Sequence, residues 1–355
     1  MKLGTIAKIG VIGVAAALAA ACSGPATSEA SDASSASGPF TIGVSNAFVA
    51  SEYRTQMIEA IQTTFDEYKA QGVVDELVME NADADVNGQI QQIRNLINQG
   101  VDAIIVDPNS ASALTAVFKE ATDQGIKVIA IDQAVDSTDV LNITISQEEL
   151  GAASAEWFAA QVGDGADIVT VEGAAGNPAR DARWAGAEKV FNEHGINVLS
   201  HGDGGWDQAT GQTVATDLLA TYPDVKGIWT YDGMAQGVLR AVEAANATDR
   251  VVVGGEARVG FMRMWNDLKP SGFSTVGVIN PPGTGATALR FAIRLLQGET
   301  LDESQVVDGH SIVLPLETLI TNDNFDEQWA EVSSKDDTYV LDSQLSDADV
   351  AKYFN

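Results

Sequence analysis

The chain has 355 residues, 45% of them hydrophobic, with 20 basic against 50 acidic side chains and a formal charge of -30 at pH 7. Apolar content is ample for a large core, whereas so acidic a surface repels phosphate backbones and anionic headgroups, which argues against a nucleic-acid partner and leaves membrane attachment to some device other than charge. A single cysteine excludes an internal disulfide framework.

Taken from the N-terminus, Lys2 and Lys8 form a basic start, residues 9–21 an apolar run of thirteen, and Ala19-Ala20-Ala21 place small side chains ahead of Cys22. A run of that length falls short of the roughly 20 residues of a membrane span and fits a secretory signal peptide over residues 1–21. Cys22 resembles the acylated first residue of a bacterial lipoprotein, with Ala19 standing where Leu is usual; ordinary cleavage that leaves a free thiol is the alternative. Loss of Lys2 and Lys8 with the signal leaves 18 basic against 50 acidic side chains, or -32. Residues 23–39 (SGPATSEASDASSASGP) are small and polar without periodicity and cannot bury enough apolar surface to fold. Residues 22–39 are therefore expected to be a lipidated tether that holds a globular body at the outer face of a membrane.

Beyond the tether roughly 315 residues remain, more than one core usually serves, so two lobes are expected. From Phe40 short β-branched runs alternate with segments of helical period, the pattern of an α/β fold in which parallel sheets are flanked by helices. Residues 40–45 (FTIGVS), 75–81, 102–107 (DAIIVD), 127–132 (KVIAID) and 141–145 are expected as strands of a first lobe. Residues 166–172, 196–201, 226–231 and 250–255 are expected as strands of a second, with 274–280 returning the chain to the first. Helices fill the intervals, as over 86–99, where Ile90, Ile93, Leu96 and Ile97 recur at steps of three and four before Gly100.

Ligands of open parallel sheets bind outside the carboxyl ends of the strands, and here those ends are rich in polar and aromatic residues. After the first strand comes NAFVASEYR (46–54), after the third DPNS (107–110), and after the fourth Asp132-Gln133. The second half supplies GAAGNPARDAR (173–183), DGGWD (203–207), Tyr231-Asp232-Gly233 and Glu256-Ala257-Arg258, and Asn280-Pro281-Pro282 stands at the crossing back. Planar carboxylate, amide and guanidinium groups that pair two neighbouring hydroxyls, with aromatic faces for the C–H side of a ring, are what a sugar requires. A lone strand-end Asp is an ordinary helix or turn cap; seven strand ends with this mixture exceed what capping needs.

The ordered series TIGVSNAFVASEYR, IQQIRNLINQGVDAIIVDPNSASAL, GIKVIAIDQAV, GAAGNPARDARWAG, YPDVKGIWTYDGMAQGVLRAVEAA and VVVGGEA resembles the periplasmic sugar-binding proteins of ABC importers with the ribose- and galactose-type fold, from Phe40 to about Pro315. The Tyr53-Arg54 pair is most similar to the branch that takes up galactofuranose and related monosaccharides. The resemblance implies a two-lobed type I periplasmic-binding-protein fold with a ligand cleft between the lobes. The first lobe would be residues 40–145 plus 281–315, the second 146–280, and 316–355 a C-terminal extension that wraps the hinge or the first lobe. Carried over by position, Tyr53 and Trp206 would stack on opposite faces of a sugar ring, and Arg54, Asp132 and Arg183 would be the main charged hydrogen-bonding groups. Asn109, Tyr231, Glu256 and Asn280 fall at further contact positions, and Arg180 competes with Arg183. Tyr231 stands where Asn is usual, Glu256 where Asp is usual, and Gln133 where Arg often follows the Asp. The implied protein is a monomer that hands a monosaccharide to the permease subunits of an importer.

Other chemistries find little support. DADVNG (83–88) begins like a calcium loop but has Arg94 where the bidentate Glu is required. The Gly-rich 173–183 loop lacks the Gly-Lys-Ser/Thr ending of a phosphate loop, and His201 with Asp203 has no third ligand or nucleophile at usable spacing. No cofactor and no metal are expected. Two alternatives stay open: a nucleoside or signalling-molecule receptor on the same fold, and an extracellular carbohydrate-active enzyme in which Asp132 and Glu256 would be the paired carboxylates.

Overall fold

The computed structural model describes residues 38–49, 51–83 and 85–355. The signal peptide, Cys22 and residues 22–37 of the tether lie outside the described residues. The first sheet begins with β1 (Phe40–Asn46), β2 (Val74–Asn81), β3 (Ala103–Asp107), β4 (Lys127–Ile131) and β5 (Leu141–Ile145), joined by helices α1 (Glu52–Ala70), α2 (Val86–Gln99) and α3 (Thr115–Thr122). Helix α4 (Gln147–Val162) leads into β6 (Asp167–Glu172), α5 (Pro178–Glu193), β7 (Asn197–Asp203), α6 (Gln208–Thr221), β8 (Gly227–Thr230), α7 (Ala235–Ala244), β9 (Val252–Glu256), α8 (Val259–Leu268) and β10 (Val276–Val278). Helix α9 (Thr284–Leu296), β11 (Ser311–Leu314), α10 (Phe325–Val332) and α11 (Asp347–Val350) complete the chain.

These strands form two parallel sheets, one of six strands in the order β11-β5-β4-β3-β1-β2 and one of five in the order β10-β9-β8-β6-β7. The central strands are buried along nearly their whole length, as β3 (AIIVD) is at every position, because helices cover both faces; this is why they read as continuous β-branched runs instead of alternating ones. One apolar cluster runs from Ile42 and Phe65 in the first lobe through Phe158 and Trp229 in the second, and another, around Leu96 and Phe118, fills the space under α2 and α3.

Several helix starts are fixed by side chains ahead of the first turn. Ser51 caps α1 at the Arg54 N–H (3.3 Å), and Asp85 caps α2 at the Gly88 N–H (2.8 Å). Asn177 caps α5 at the Ala179 and Arg180 N–H groups, with Pro178 opening the helix. The caps matter for function because they set Tyr53 and Arg54 in the first turn of α1 and Arg183 in the second turn of α5, near the strand ends.

One expectation needs correction. The strand expected over 274–280 is only Val276–Val278 and pairs with β9 at the edge of the second sheet, so the chain returns to the first lobe after it, at α9, which packs on α1 and β4. Strand β11, for which SIVL offers too short a run to read, pairs with β5 at the edge of the first sheet. Residues 316–355 do not stay on one lobe. Ile320 exchanges both backbone hydrogen bonds with Gly277 of β10 (2.9 and 2.8 Å), whereas Leu345 donates to Thr287 of α9 (3.1 Å) and Phe354 bridges Leu301.

Candidate functional site

A cavity of about 200 Å3 lies where the carboxyl ends of the two sheets face each other. From the first lobe it is lined by Phe48, Tyr53, Arg54, Asp107, Asn109, Asp132 and Gln133, and from the second by Asn177, Arg183, Trp206, Asp232, Glu256 and Arg258, with Asn280 at the crossing and Val340 from the C-terminal segment. Its volume is below the roughly 300–1,000 Å3 that suits drug-sized ligands, so it fits a single small ring.

Charges inside this cavity are paired. Arg54 is buried between Asp107, which it contacts directly, and Asp132 (3.7 Å), and it donates to Asn46 Oδ1 (3.2 Å). Burial pushes its pKa down, while Asp132 pulls it back up. Asp132 Oδ1 accepts from Tyr53 Oη (3.2 Å), Asn280 Nδ2 (3.1 Å) and Gln147 Nε2 (3.4 Å). Burial, then the Asp132 charge, raise the Tyr53 phenol well above its ordinary value, so it remains a neutral donor. On the other wall Arg183, 1% exposed, ion-pairs with Asp232 and donates to Gln147 Oε1 (2.7 Å). Burial works against its charge, but Asp232 and the Tyr231 face outweigh it and raise its pKa. Arg258 joins Glu256 (2.9 Å) to Glu52 at the start of α1, an ion pair made across the two lobes. Burial pushes the Glu256 carboxyl up to about 8, with Arg258 pulling the other way, so at neutral pH it is mostly protonated. Glu256 Oε1 and Gln133 Oε1 are buried with no hydrogen-bond partner among the described residues; the protonated carboxyl can donate to a ligand hydroxyl there and the amide oxygen can accept from one.

The aromatic wall is strained into place. Trp206 has φ 63, an outlier for a bulky residue, and its ring lies 5.7 Å from Tyr231 with the Arg183 guanidinium 5.6 Å away. Gly173 makes room for it, since a Cβ there would come within 2.2 Å of the indole. Of the five described non-glycine residues with positive φ, Asp132, Trp206 and Asp232 all line the cavity; strain of this kind costs about 1–3 kcal/mol each and gathers at functional sites.

Of the nine expected ligand residues, eight line the cavity: Tyr53, Arg54, Asn109, Asp132, Arg183, Trp206, Glu256 and Asn280. Tyr231 does not. It is 1% exposed behind the wall, with its ring 4.9 Å from the Arg183 guanidinium and 5.0 Å from Trp229, and its hydroxyl accepts from the Gly173 N–H (3.4 Å). The Tyr that replaces the usual Asn thus backs the arginine from behind the cavity wall. Arg180 turns away to Glu172 (3.2 Å). His201 bonds Glu172 (2.7 Å), Asp203 accepts from Gly205 N–H (3.0 Å), and neither lines the cavity. Asp83 accepts from Val49 N–H (2.8 Å), the role of a loop brace.

Sequence reasoning missed Asp107, Asp232 and Arg258 as site residues although all three stand in the quoted strand-end segments; the signal was there, but nothing separated them from capping residues. It also missed Gln147, the first residue of α4. Its side chain donates to the Asp132 carbonyl (3.2 Å), Asp132 Oδ1 (3.4 Å) and Asn280 Oδ1 (3.3 Å) and accepts from Arg183, so it ties the first-lobe carboxylate to the second-lobe guanidinium.

A family model described as periplasmic binding protein domain matches residues 42–300, from β1 through α9. The chain belongs to this family. Among curated relatives of this periplasmic binding protein, the ribose import binding protein of Escherichia coli (strain K12) is 28% identical over 227 residues, 63% of this chain and 76% of that one. The xylitol-binding protein of Mycolicibacterium smegmatis is 28% identical over 329 residues, 92% of this chain and 87% of that one. An ABC transporter solute-binding protein from Thermobispora bispora has the same fold, with a TM-score of 0.77 at 22% identity over 88% of this chain and 94% of its own. Among the described residues of this periplasmic binding protein no helix is long and apolar enough to cross a membrane.

Proposed function

We propose that this periplasmic binding protein captures one neutral monosaccharide between its lobes, outside the cytoplasm, and presents it unaltered to the permease of an ABC importer. The observation that carries the reading is the compensation of every arginine at the cavity. Arg54 faces Asp107 and Asp132, Arg183 faces Asp232, and Arg258 faces Glu52, with the mostly neutral Glu256 beside it. No surplus positive charge remains for a phosphate or carboxylate, while paired donors and acceptors suit the hydroxyls of a neutral ring. A nucleoside, with two ring systems, suits a cavity of about 200 Å3 less well.

Mechanism follows from the division of contacts. With Asp132 and Tyr53 on one lobe and Arg183 and Trp206 on the other, a ligand that touches both gains contacts in the closed state that the open state lacks, and so shifts a hinge equilibrium. A permease reads the closed shape. Acylation of Cys22 would keep a monomeric receptor beside that permease, and Cys22→Ser would then release the protein from the membrane fraction. Relatives named for ribose import and for xylitol binding support small polyhydroxylated ligands as a class.

The test is a thermal-shift screen against pentoses, hexoses in pyranose and furanose form and polyols, with nucleosides alongside. Ligand at about 100 times Kd adds roughly 2.7 kcal/mol to stability. A response to one sugar, lost in Arg183→Ala and Trp206→Ala, is the expected result. A response to nucleosides alone would overturn the reading, and release of chromophore from chromogenic glycosides would overturn the absence of chemistry.

A further inference from the structure

The C-terminal segment supplies a wall of the cavity. After α10 it runs antiparallel to the loop that follows β9: Asp337 O accepts from Gly260 N–H (2.9 Å), Tyr339 O from Val259 N–H (2.9 Å), and Leu341 N–H donates to Ala257 O (2.8 Å). Those bonds hold the segment on the second lobe, beside Glu256 and Arg258. Val340, between them, is held from the other lobe: the Gln56 side-chain amide on α1 accepts from its N–H and donates to its C=O, both at 2.9 Å. Two residues on, Asp342 accepts from Gly283 N–H (2.6 Å), and Gln344 accepts from Arg290 on α9 (3.0 Å). The chain thus crosses between lobes at Val340, with its backbone fixed on both sides, and Val340, 6% exposed, lines the cavity.

We propose that Val340 sets the size limit of the sugar cavity, which makes the C-terminal extension part of the binding site and Val340 a specificity-determining residue. The inference rests on the reading of the ligand as a monosaccharide. Val340 is apolar where Arg54, Asp132, Arg183, Asp232, Glu256 and Arg258 are polar. It offers a ring no hydrogen bond, only a surface that a substituent must clear. Its neighbours' bonds to Ala257 and Val259 and its own to Gln56 deny it a retreat, and a wall so supported discriminates by volume. One methylene against a rigid apolar wall is worth roughly 10- to 200-fold in discrimination.

Titration calorimetry of the full chain against a graded panel tests this: a pentose, the 6-deoxyhexose that adds a methyl, and the hexose that adds a hydroxymethyl. Val340→Ala enlarges the cavity and Val340→Leu narrows it, and neither touches the backbone bonds, which melting curves would confirm. The expected result is a shift of the affinity ratio toward the larger members in Val340→Ala by about tenfold, and toward the smaller in Val340→Leu. Ratios that stay fixed, whether all affinities fall together or none changes, would overturn the role of Val340 while the sugar reading stands. Failure of the wild-type chain to bind any sugar of the panel would instead overturn the sugar reading, and this inference with it.

Discussion

Glu256 couples the binding site to stability in a way that a single substitution exposes. Its carboxyl is 2% exposed, its Oε2 faces Arg258, and burial moves its pKa from the usual 4.5 to about 8. Between those limits the native state holds a proton that the unfolded chain has lost, so stability falls as pH rises, by up to about 1.36 kcal/mol per pH unit for one proton. The contribution is full below about pH 4.5 and gone above about pH 8. From about pH 5 to pH 7 the loss is therefore roughly 2–3 kcal/mol. Glu256→Gln keeps the shape and removes the proton equilibrium. In urea unfolding at about pH 5, 6 and 7, the stability of the variant minus that of the wild type should rise by about that amount, while other titrations cancel in the difference. Parallel curves would refute the buried, protonated carboxyl. Near-parallel curves are what Glu256 would give if the Arg258 guanidinium outweighed burial and held it ionised, because both states would then be deprotonated across this range.

Three further substitutions address the site, and a fourth, at Arg180, serves as a control outside it. Gly173→Ala drives a Cβ to within 2.2 Å of the Trp206 indole, so the ring must turn; a fall in sugar affinity of at least about tenfold, with altered tryptophan fluorescence and roughly 1–3 kcal/mol less stability, is expected from calorimetry and melting. Arg183→Lys keeps the charge but loses the guanidinium fork that reaches both Asp232 and Gln147 and the cation–π contacts with Trp206 and Tyr231, and should weaken binding about tenfold or more in the same assay. Arg180→Lys, directed at Glu172 outside the cavity, should change it by less than about twofold. Gln147→Leu strands the Arg183 Nε and a buried face of Asp132, each worth about 1–3 kcal/mol; calorimetric affinity should fall at least about tenfold, and unchanged affinity would show that Arg183 needs no support from α4.

How far the sequence carries depends on what each residue's signal rests on. The parallel strands were legible because both faces are buried: AIIVD in β3 and KVIAI in β4 are apolar runs that no amphipathic helix would contain, bounded by Gly100 and by Asp132. Asp132, Arg183, Trp206 and Asn280 stand in strand-end segments that parallel topology brings together, and the resemblance to the sugar-binding family singled them out within those segments. Tyr231 misled because a strand-end site admits two side-chain directions, and the preference for cavity or core is set by the Gly173 N–H and the Arg183 guanidinium that receive it. Val340 had no signal at all: it reaches the cavity only because Gly277 pairs with Ile320 and Ala257 with Leu341, pairings about 40 and 80 residues apart in the chain that no local pattern encodes.

Gln147 shows why such residues are hard to read and important to find. On its helix it looks like an ordinary polar first-turn residue after the Ser146 cap. In space its one amide satisfies groups of opposite character on two lobes, giving its N–H to Asp132 and Asn280 and its oxygen to Arg183. A carboxylate there would repel Asp132, and an ammonium would repel Arg183; an amide alone carries donor and acceptor together. The same logic applies to Gln56, whose amide clasps Val340 from α1. The lobes of this protein are thus joined beside the cavity by neutral amides and, among the described residues, by the charged Glu52–Arg258 pair. Amide links are cheap to break and remake without leaving an unpaired charge behind, which suits a hinge that must open for each new ligand.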